Sequence, residues 1–517
     1  ALGATDWVRG GTVQEALNDA AVRAAASTPA LSDVVRRDQD ARNEIKGLRS
    51  FLSGDAGSAK TPLPQIATQM RERITVLENQ RVQLQAEIKA KFPDYERLVR
   101  PTSPSVQQVA KQLSPDQALL MLLPTTDAVY VWAVTAERPP AFARAPLSEA
   151  RVDQLIGRLR RQLDFAAGGG SQFDSAAAFE LYDKLLAPLA PTLQGKTQLI
   201  VAAGGNLSQI PFGILHTRAN GGTGSQAPWL IKEASIAQVP SLSAWLAIKS
   251  LAKSKPASQS FAGWGDPTFS ASTVAQTNTS AGLARNVALT RAATVADLEA
   301  LQNGTVTASG LKYADIPPLP DTRPELLAIA RTLHADAGSD LHLGPQATRD
   351  SVLQANKSGQ LGNKRVIAFA THGLMAGDLP NLTQPALALA ATGQEQTNPL
   401  APLLTLEDVL TLKLNADWVV LSACNTAAAD GKAEEALSGL ARGFFYAGSR
   451  SLLVTHWAVE SESAKELTTS TFAHYAANPT APKAESLRQA MLQVMANPKY
   501  AHPAYWAPYA LVGDGGR

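Results

Sequence analysis

Cys424 is the only cysteine in a chain of 517 residues, and it lies near the end of the stretch N-A-D-W-V-V-L-S-A-C-N-T at positions 415–426. A second apolar run, Val366–Ala370, leads directly into Thr371-His372-Gly373. A thiol is mostly protonated at neutral pH; an imidazole beside it favours the thiolate and can protonate a departing amine. Such a pair is equipped to attack a carbonyl and expel its leaving group. Gly373 carries no side chain to obstruct its N–H. With the N–H of Cys424 it could supply the two donors that an oxyanion requires. A lone cysteine at a strand end is ordinarily a small buried side chain, so the nucleophile reading depends on whether His372 can reach it.

Reaching it requires particular elements. From Pro320 the pattern alternates regularly. A helix over Arg323–Leu333 precedes a strand near Asp340–Leu343 and a helix opened by Thr348. A strand over Val366–Ala370, a helix over Leu406–Leu412 and a strand over Trp418–Ser422 come next. A helix over Ala433–Ala447, a strand over Leu452–Thr455 and a helix over Ala464–Ala476 complete the series. Alternation of this kind predicts parallel strands with right-handed crossovers, covered by helices on both faces. In such sheets ligands bind beyond the carboxyl ends of the strands. Both reactive residues follow such ends, and neighbouring strands lie roughly 4.8 Å apart.

Earlier in the chain, apolar runs at Ala118–Leu123, Ala128–Thr135 and Leu199–Ala203 alternate with helical stretches at Glu149–Leu163 and Ala176–Leu186, predicting a related sheet with more antiparallel character. Residues 253–310, rich in glycine and serine, read as a surface excursion. At the amino-terminal end, Leu31, Val34, Ala41, Ile45, Leu48 and Leu52 form one helical stripe, interrupted by Asp38. Ile66, Met70, Ile74, Leu77, Leu84 and Ile88 form another, interrupted by Arg81. Joined by the Gly/Ser/Pro-rich segment Ser53–Pro64, they predict an antiparallel helical hairpin, either a spacer or the end of a larger helical array.

The composition is that of a globular chain of two to four domains, 45% hydrophobic and 18% charged with a net charge of +2. Interspersed charge of both signs predicts no nucleic-acid or membrane surface, and no apolar run is long enough to span a bilayer. A single cysteine forbids an internal disulfide and zinc sites built on several thiolates. It fits a reducing, cytoplasmic compartment, although a cysteine-poor periplasmic or secreted protein would look the same. The chain opens on Ala1 rather than Met, which reads as a truncated or processed form. Gly204-Gly205-Asn206 lacks the lysine of a phosphate loop and the spaced glycines of a dinucleotide site, so it reads as a tight turn.

His372 and Cys424 are 52 positions apart, near the roughly 50 that separate the two in caspases. The surrounding segments resemble the CHAT domains, caspase-like domains often found beside tetratricopeptide repeats in bacteria. A-T-H-G-L-M-A-G-D-L-P-N is similar to their histidine segment and V-V-L-S-A-C-N-T-A-A-A-D-G to their cysteine segment. G-L-A-R-G-F-F-Y-A-G-S-R-S-L-L-V-T-H-W-A-V-E and H-P-A-Y-W-A-P-Y-A-L-V-G continue the likeness. Upstream, Q-L-I-V-A-A-G-G-N-L-S-Q-I-P-F-G-I-L-H and L-P-D-T-R-P-E-L-L-A-I-A resemble the non-catalytic half, and F-P-D-Y-E-R-L-V the segment before it. The resemblance implies a caspase-like α/β fold in the clan of caspases, separases and gingipains. It divides the chain into a hairpin or linker (1–100), a non-catalytic half (101–318) and a catalytic half (319–517).

It also implies a cysteine endopeptidase of bacterial signalling or defence type, acting on specific proteins without metal or other cofactor. His372 becomes the general acid/base, Cys424 the nucleophile, and Gly373 with Cys424 the oxyanion donors. A third catalytic member is not evident, and neither Asn425 nor Asp378 is assigned that role. Glu460 and Trp457 are the candidates for a substrate pocket preferring Arg or Lys, by analogy with carboxylate pockets elsewhere in the clan. The other reading of Glu460 is an acid stabilised by the dipole of the helix it precedes. Asp430 and Glu462 are weaker pocket candidates. His456 reads as packed, and His216, His334, His342, His474 and His502 as structural or solvated. An activating or repeat-domain partner is the other expected ligand. The competing reading is a latent or non-catalytic scaffold that needs an activator.

Overall fold

Short, largely apolar segments such as Trp418–Leu421 and Ser451–Thr455 are buried along their whole length, and a sheet covered on both faces is the architecture that accepts them. The computed structural model places them at the centre of one sheet. It describes residues 64–91, 104–164, 172–219, 221–251, 257–270, 313–316, 318–374, 379, 382, 384–395, 398–422, 439–457 and 459–516, with positions 34, 37, 38, 41, 44, 45 and 48. These fall into two compact units, one of residues 18–102 and one containing Ser103–Arg517.

In the smaller unit, helix α1 (Pro64–Lys91) packs Ile74 and Leu77 against Ala41, Ile45 and Leu48 of the helical positions before it. The two interruptions of the apolar stripes answer each other. Arg81 Nε donates to Asp38 Oδ1 at 3.0 Å, and Arg73 pairs with Glu44 at 2.7 Å. Sequence-later partners therefore meet sequence-earlier ones in reverse order, as an antiparallel hairpin requires.

The larger unit is built on an eleven-stranded sheet. Its strands are β1 (Gln117–Pro124), β2 (Val129–Thr135), β3 (Ala141–Ala145), β4 (Gln198–Ala203), β5 (Ser235–Gln238), β6 (Gln259–Gly265), β7 (Leu341–Leu343), β8 (Lys364–Ala370), β12 (Trp418–Leu421), β13 (Ser451–Thr455) and β14 (Tyr509–Gly513). Their spatial order is β3-β2-β1-β4-β5-β14-β13-β12-β8-β6-β7. A separate three-stranded sheet holds β9 (Gly373–Leu374), β10 (Ala386–Ala388) and β11 (Leu403–Thr405). The run β13-β12-β8-β6-β7 is parallel throughout, whereas β1-β2-β3 is an antiparallel meander. The last strand in the sequence, β14, lies in the middle, antiparallel to β13 and meeting β5 at the single pair Val512–Gln238.

Side-chain alternation distributes the core to both faces, as expected for the α/β class. Trp418 and Val420 of β12 join a core shared with α6 (Thr322–Thr332) and α10 (Ser461–Ala477); Val419 and Leu421 join the opposite core with α9 (Gly439–Ala447). Helix α7 (Arg349–Lys357) is opened by Thr348, whose hydroxyl accepts the Ser351 N–H at 3.1 Å. Two further helices, α3 (Glu149–Leu163) and α4 (Ser175–Leu185), cover the first half on the same side as α6.

One expectation is corrected. The segment read as a surface excursion contains β6, which lies between β7 and β8 with Phe261 and Trp264 fully buried. Residues 253–256 and 271–310 of that segment lie outside the described residues. Gly205 opens a 3-10 turn at φ 53°, the tight-turn reading of Gly204-Gly205-Asn206. Among the described residues no helix is long and apolar enough to cross a membrane.

Candidate active site

Strands β8 and β12 are adjacent and parallel, and their register can be read pair by pair. Trp418 faces Val366, Val419 faces Ile367, Val420 faces Ala368 and Leu421 faces Phe369, each pair 52 positions apart. His372 and Cys424 are separated by the same 52 positions. The ladder ends where the Ser422 N–H donates to the Phe369 carbonyl at 3.1 Å. Cys424, Asn425, Asp378 and Asp430 lie outside the described residues.

His372 sits between β8 and β9. Its carbonyl accepts the Ala388 N–H at 2.9 Å, and the neighbouring Thr371 hydroxyl donates to the Ala388 carbonyl, so β10 grips the histidine segment from above. The imidazole is 8% exposed, with the Phe269 ring 5.6 Å away, centroid to centroid. Phe269 follows β6 and belongs to a small apolar cluster with Tyr313, Leu374 and Leu403 under the three-stranded sheet. Gly373 faces Leu387 in a pair whose flanking residues carry the hydrogen bonds, so its own N–H points away from β10.

Beyond the carboxyl end of β13 the two pocket candidates part company. Trp457 is 0% exposed and its indole N–H donates to the Ala504 carbonyl at 3.1 Å. Its large aromatic ring fills the core here. Glu460 is partly exposed and is the N-cap of α10, its Oε2 accepting the Ser463 N–H at 2.8 Å. That is the helix-start role set beside the pocket role in the sequence. Glu462 is tied to Lys499 at 2.7 Å and to the Tyr500 hydroxyl at 2.9 Å, and these partners hold its carboxyl below the ordinary range.

Of the remaining histidines, His334 is exposed and the others are packed or partly buried. His456 and His216 are fully buried, with no partner for either ring nitrogen, and burial pushes them down to about 3 and about 4, so both are neutral. His342 stacks on Trp264 at 4.8 Å, and His502 accepts the Ala504 N–H at 3.2 Å at a helix start. No cluster of His, Cys, Asp or Glu that could hold a metal is present among the described residues.

Three contributors to this edge escape a sequence reading. Phe269 lies in the segment taken for an excursion. Arg160 of α3 donates to the Gln209 carbonyl at 2.8 Å and the His456 carbonyl at 3.2 Å, joining the turn after β4 to the turn after β13. Tyr509 of β14 places its hydroxyl 2.7 Å from Ser422 Oγ. The last two pairings span 296 and 87 positions, and no local pattern announces them.

The model of the CHAT domain matches residues 175–514, well over half of the chain, and the chain belongs to the CHAT domain family. A relative among characterised proteins is Tetratricopeptide repeat protein 28 of Mus musculus, 28% identical over 228 residues. The match covers 38% of this chain and 9% of that protein, so the chain spans a small part of its relative's length. Among solved structures, the Saccharomyces cerevisiae separase in its complex with securin aligns with a TM-score of 0.44 and 8% identity, over 81% of this chain and 31% of that one. The Arg-specific cysteine proteinase gingipain R aligns with a TM-score of 0.37 and 8% identity, over 71% of this chain and 75% of that one.

Proposed function

We propose that the chain is a cysteine endopeptidase in which Cys424 attacks the scissile carbonyl and His372 manages the proton. The observation that carries this reading is the shared register, since the strand pair and the two reactive residues have the same 52-position offset. Cys424 follows Ser422 by two residues, a reach of at most about 7 Å. In the first step the thiolate adds to the carbonyl carbon, and the oxyanion is held by the N–H groups of Gly373 and Cys424. His372 as imidazolium then protonates the leaving amine, and a water activated by the neutral imidazole hydrolyses the thioester. Each step balances without a metal or other cofactor.

The substrate in this reading is a protein with an accessible loop, cleaved after Arg or Lys if Glu460 turns its carboxylate toward the site. In this reading an activating or repeat-domain partner would deliver the substrate. Burial of His372 beneath Phe269 favours a second reading, a latent or non-catalytic scaffold whose site opens only with an activator. The deciding experiment is a peptide-library cleavage profile of the chain beside Cys424→Ala, paired with iodoacetamide alkylation of Cys424 from pH 5 to 9. Cleavage abolished by Cys424→Ala, with alkylation at pH 6 slowed by His372→Ala, supports the peptidase. No cleavage and an ordinary thiol profile support the scaffold.

A further inference from the structure

We propose that the Ser422–Tyr509 hydroxyl pair is a positioning device for the nucleophile segment, an inference that rests on the peptidase reading. Ser422 is tied on two sides. Its backbone N–H donates to Phe369 of β8, the strand that leads into His372, at 3.1 Å. Its Oγ lies 2.7 Å from the hydroxyl of Tyr509. Tyr509 is itself packed in the core: it is 0% exposed, and its residue pairs with Thr455 across the β13–β14 ladder.

The placement of this pair is specific. Val420 faces Leu453, and the same offset carried two residues onward sets Ser422 beside Thr455, which is beside Tyr509. Three hydroxyl residues therefore lie on one rung of three neighbouring strands, where the rungs below are filled by Val420, Leu453 and Leu511. Tyr509 reaches over the intervening strand to bond Ser422. A core rung gains little from hydroxyls unless they are paired, because an unpaired buried hydroxyl is costly. Cys424 follows Ser422 by only two residues, so fixing where the chain leaves Ser422 limits where the thiol can stand. The pair thus sets where the thiol stands relative to His372 without touching substrate.

A merely structural hydroxyl pair and a positioning pair give different results. The test uses the full chain with Ser422→Ala, Tyr509→Phe, the double variant and the conservative Ser422→Thr, measuring melting temperature and the pH profile of Cys424 alkylation. Positioning requires that either single removal displaces the acid limb of the profile upward by about one pH unit, tenfold in thiolate at pH 6. The double variant should add nothing to the singles, and Ser422→Thr should restore the parent profile. Profiles superimposable on the parent's, whatever the melting temperatures, overturn the proposal. Ser422 is partly exposed, so Ser422→Ala carries the test if Tyr509→Phe fails to fold. If the parent thiol is activated but both variants match it, positioning alone fails. If the parent thiol is ordinary and insensitive to His372→Ala, the peptidase reading fails and takes the proposal with it.

Discussion

Glu325→Gln should stabilise the protein at alkaline pH and leave it unchanged at acidic pH. Glu325 lies in the first turn of α6, is 4% exposed, and meets Thr468 of α10, whose hydroxyl is 2.8 Å from Oε1. That hydroxyl also lies 3.1 Å from the Ala464 carbonyl. Donated to Glu325, the Thr468 hydroxyl proton favours the ionised carboxylate, but it is a single bond set against complete burial. Burial dominates, outweighing the Thr468 bond and nearby Lys465, and Asp321 adds to it; the carboxyl is pushed up from 4.5 to about 7. Between those values the folded state keeps a proton that the unfolded state releases, so stability falls as pH rises through the window and is level above it. The cost of ionising the buried group is about 3 kcal/mol once both states have titrated. Glutamine keeps the shape and an acceptor oxygen for Thr468 but cannot ionise, so the variant should gain about 1–3 kcal/mol at pH 8, its own buried amide accounting for the lower figure. Urea unfolding of parent and variant at pH 4.5 and pH 8 measures it. If the difference between the two proteins is the same at both pH values, the argument from burial is wrong.

Arg160→Ala should cost about 3 kcal/mol in equilibrium unfolding, because it leaves the Gln209 and His456 carbonyls without a charged donor; Arg160→Lys should recover only part, since an ammonium cannot fork to both. A loss below a few tenths of a kcal/mol would show that the turns hold themselves. His456→Leu should remove an acid sensitivity. The folded imidazole sits at about 3 against 6.5 unfolded, so its contribution is complete above pH 6.5 and is lost as pH falls toward 3. Near pH 5 that loss is about 2 kcal/mol, and the variant's melting temperature should then match or exceed the parent's, whereas a lower value at pH 5 would contradict it.

The central strands were legible because Val366–Ala370 and Trp418–Leu421 are continuous apolar runs, which only a doubly covered sheet accommodates. Their adjacency then made the His372–Cys424 spacing a statement about register. Strand β6 was not legible, for a physical reason. Its Gly263 and Gly265 resemble loop residues in sequence, yet a Cβ at Gly265 would lie 2.5 Å from Leu326 Cδ1 and 3.2 Å from the Ala370 carbonyl. The glycine marks a close approach of α6 and β8 rather than a turn, and composition cannot tell the two apart. Asp38 and Arg81 misled in the same way, each a flaw in its own stripe and a partner to the other across the hairpin. Glu460 shows the opposite limit, a residue whose chemistry suited two roles and whose backbone context revealed the capping one.

The central position of β14 has a consequence for synthesis. Chains emerge from the ribosome amino end first, and domains tend to fold in that order. Here β5 and β13 can each be made, twisted and covered while the strand that separates them is still to come. Until residues 509–513 arrive, the growing protein carries two unfinished sheet edges that face one another and can bind the wrong strand, including one from a neighbouring nascent chain. Tyr509 arrives with that strand, so the last step of assembly is also the step that places a hydroxyl against Ser422. The surroundings of Ser422 are completed only as the whole sheet closes.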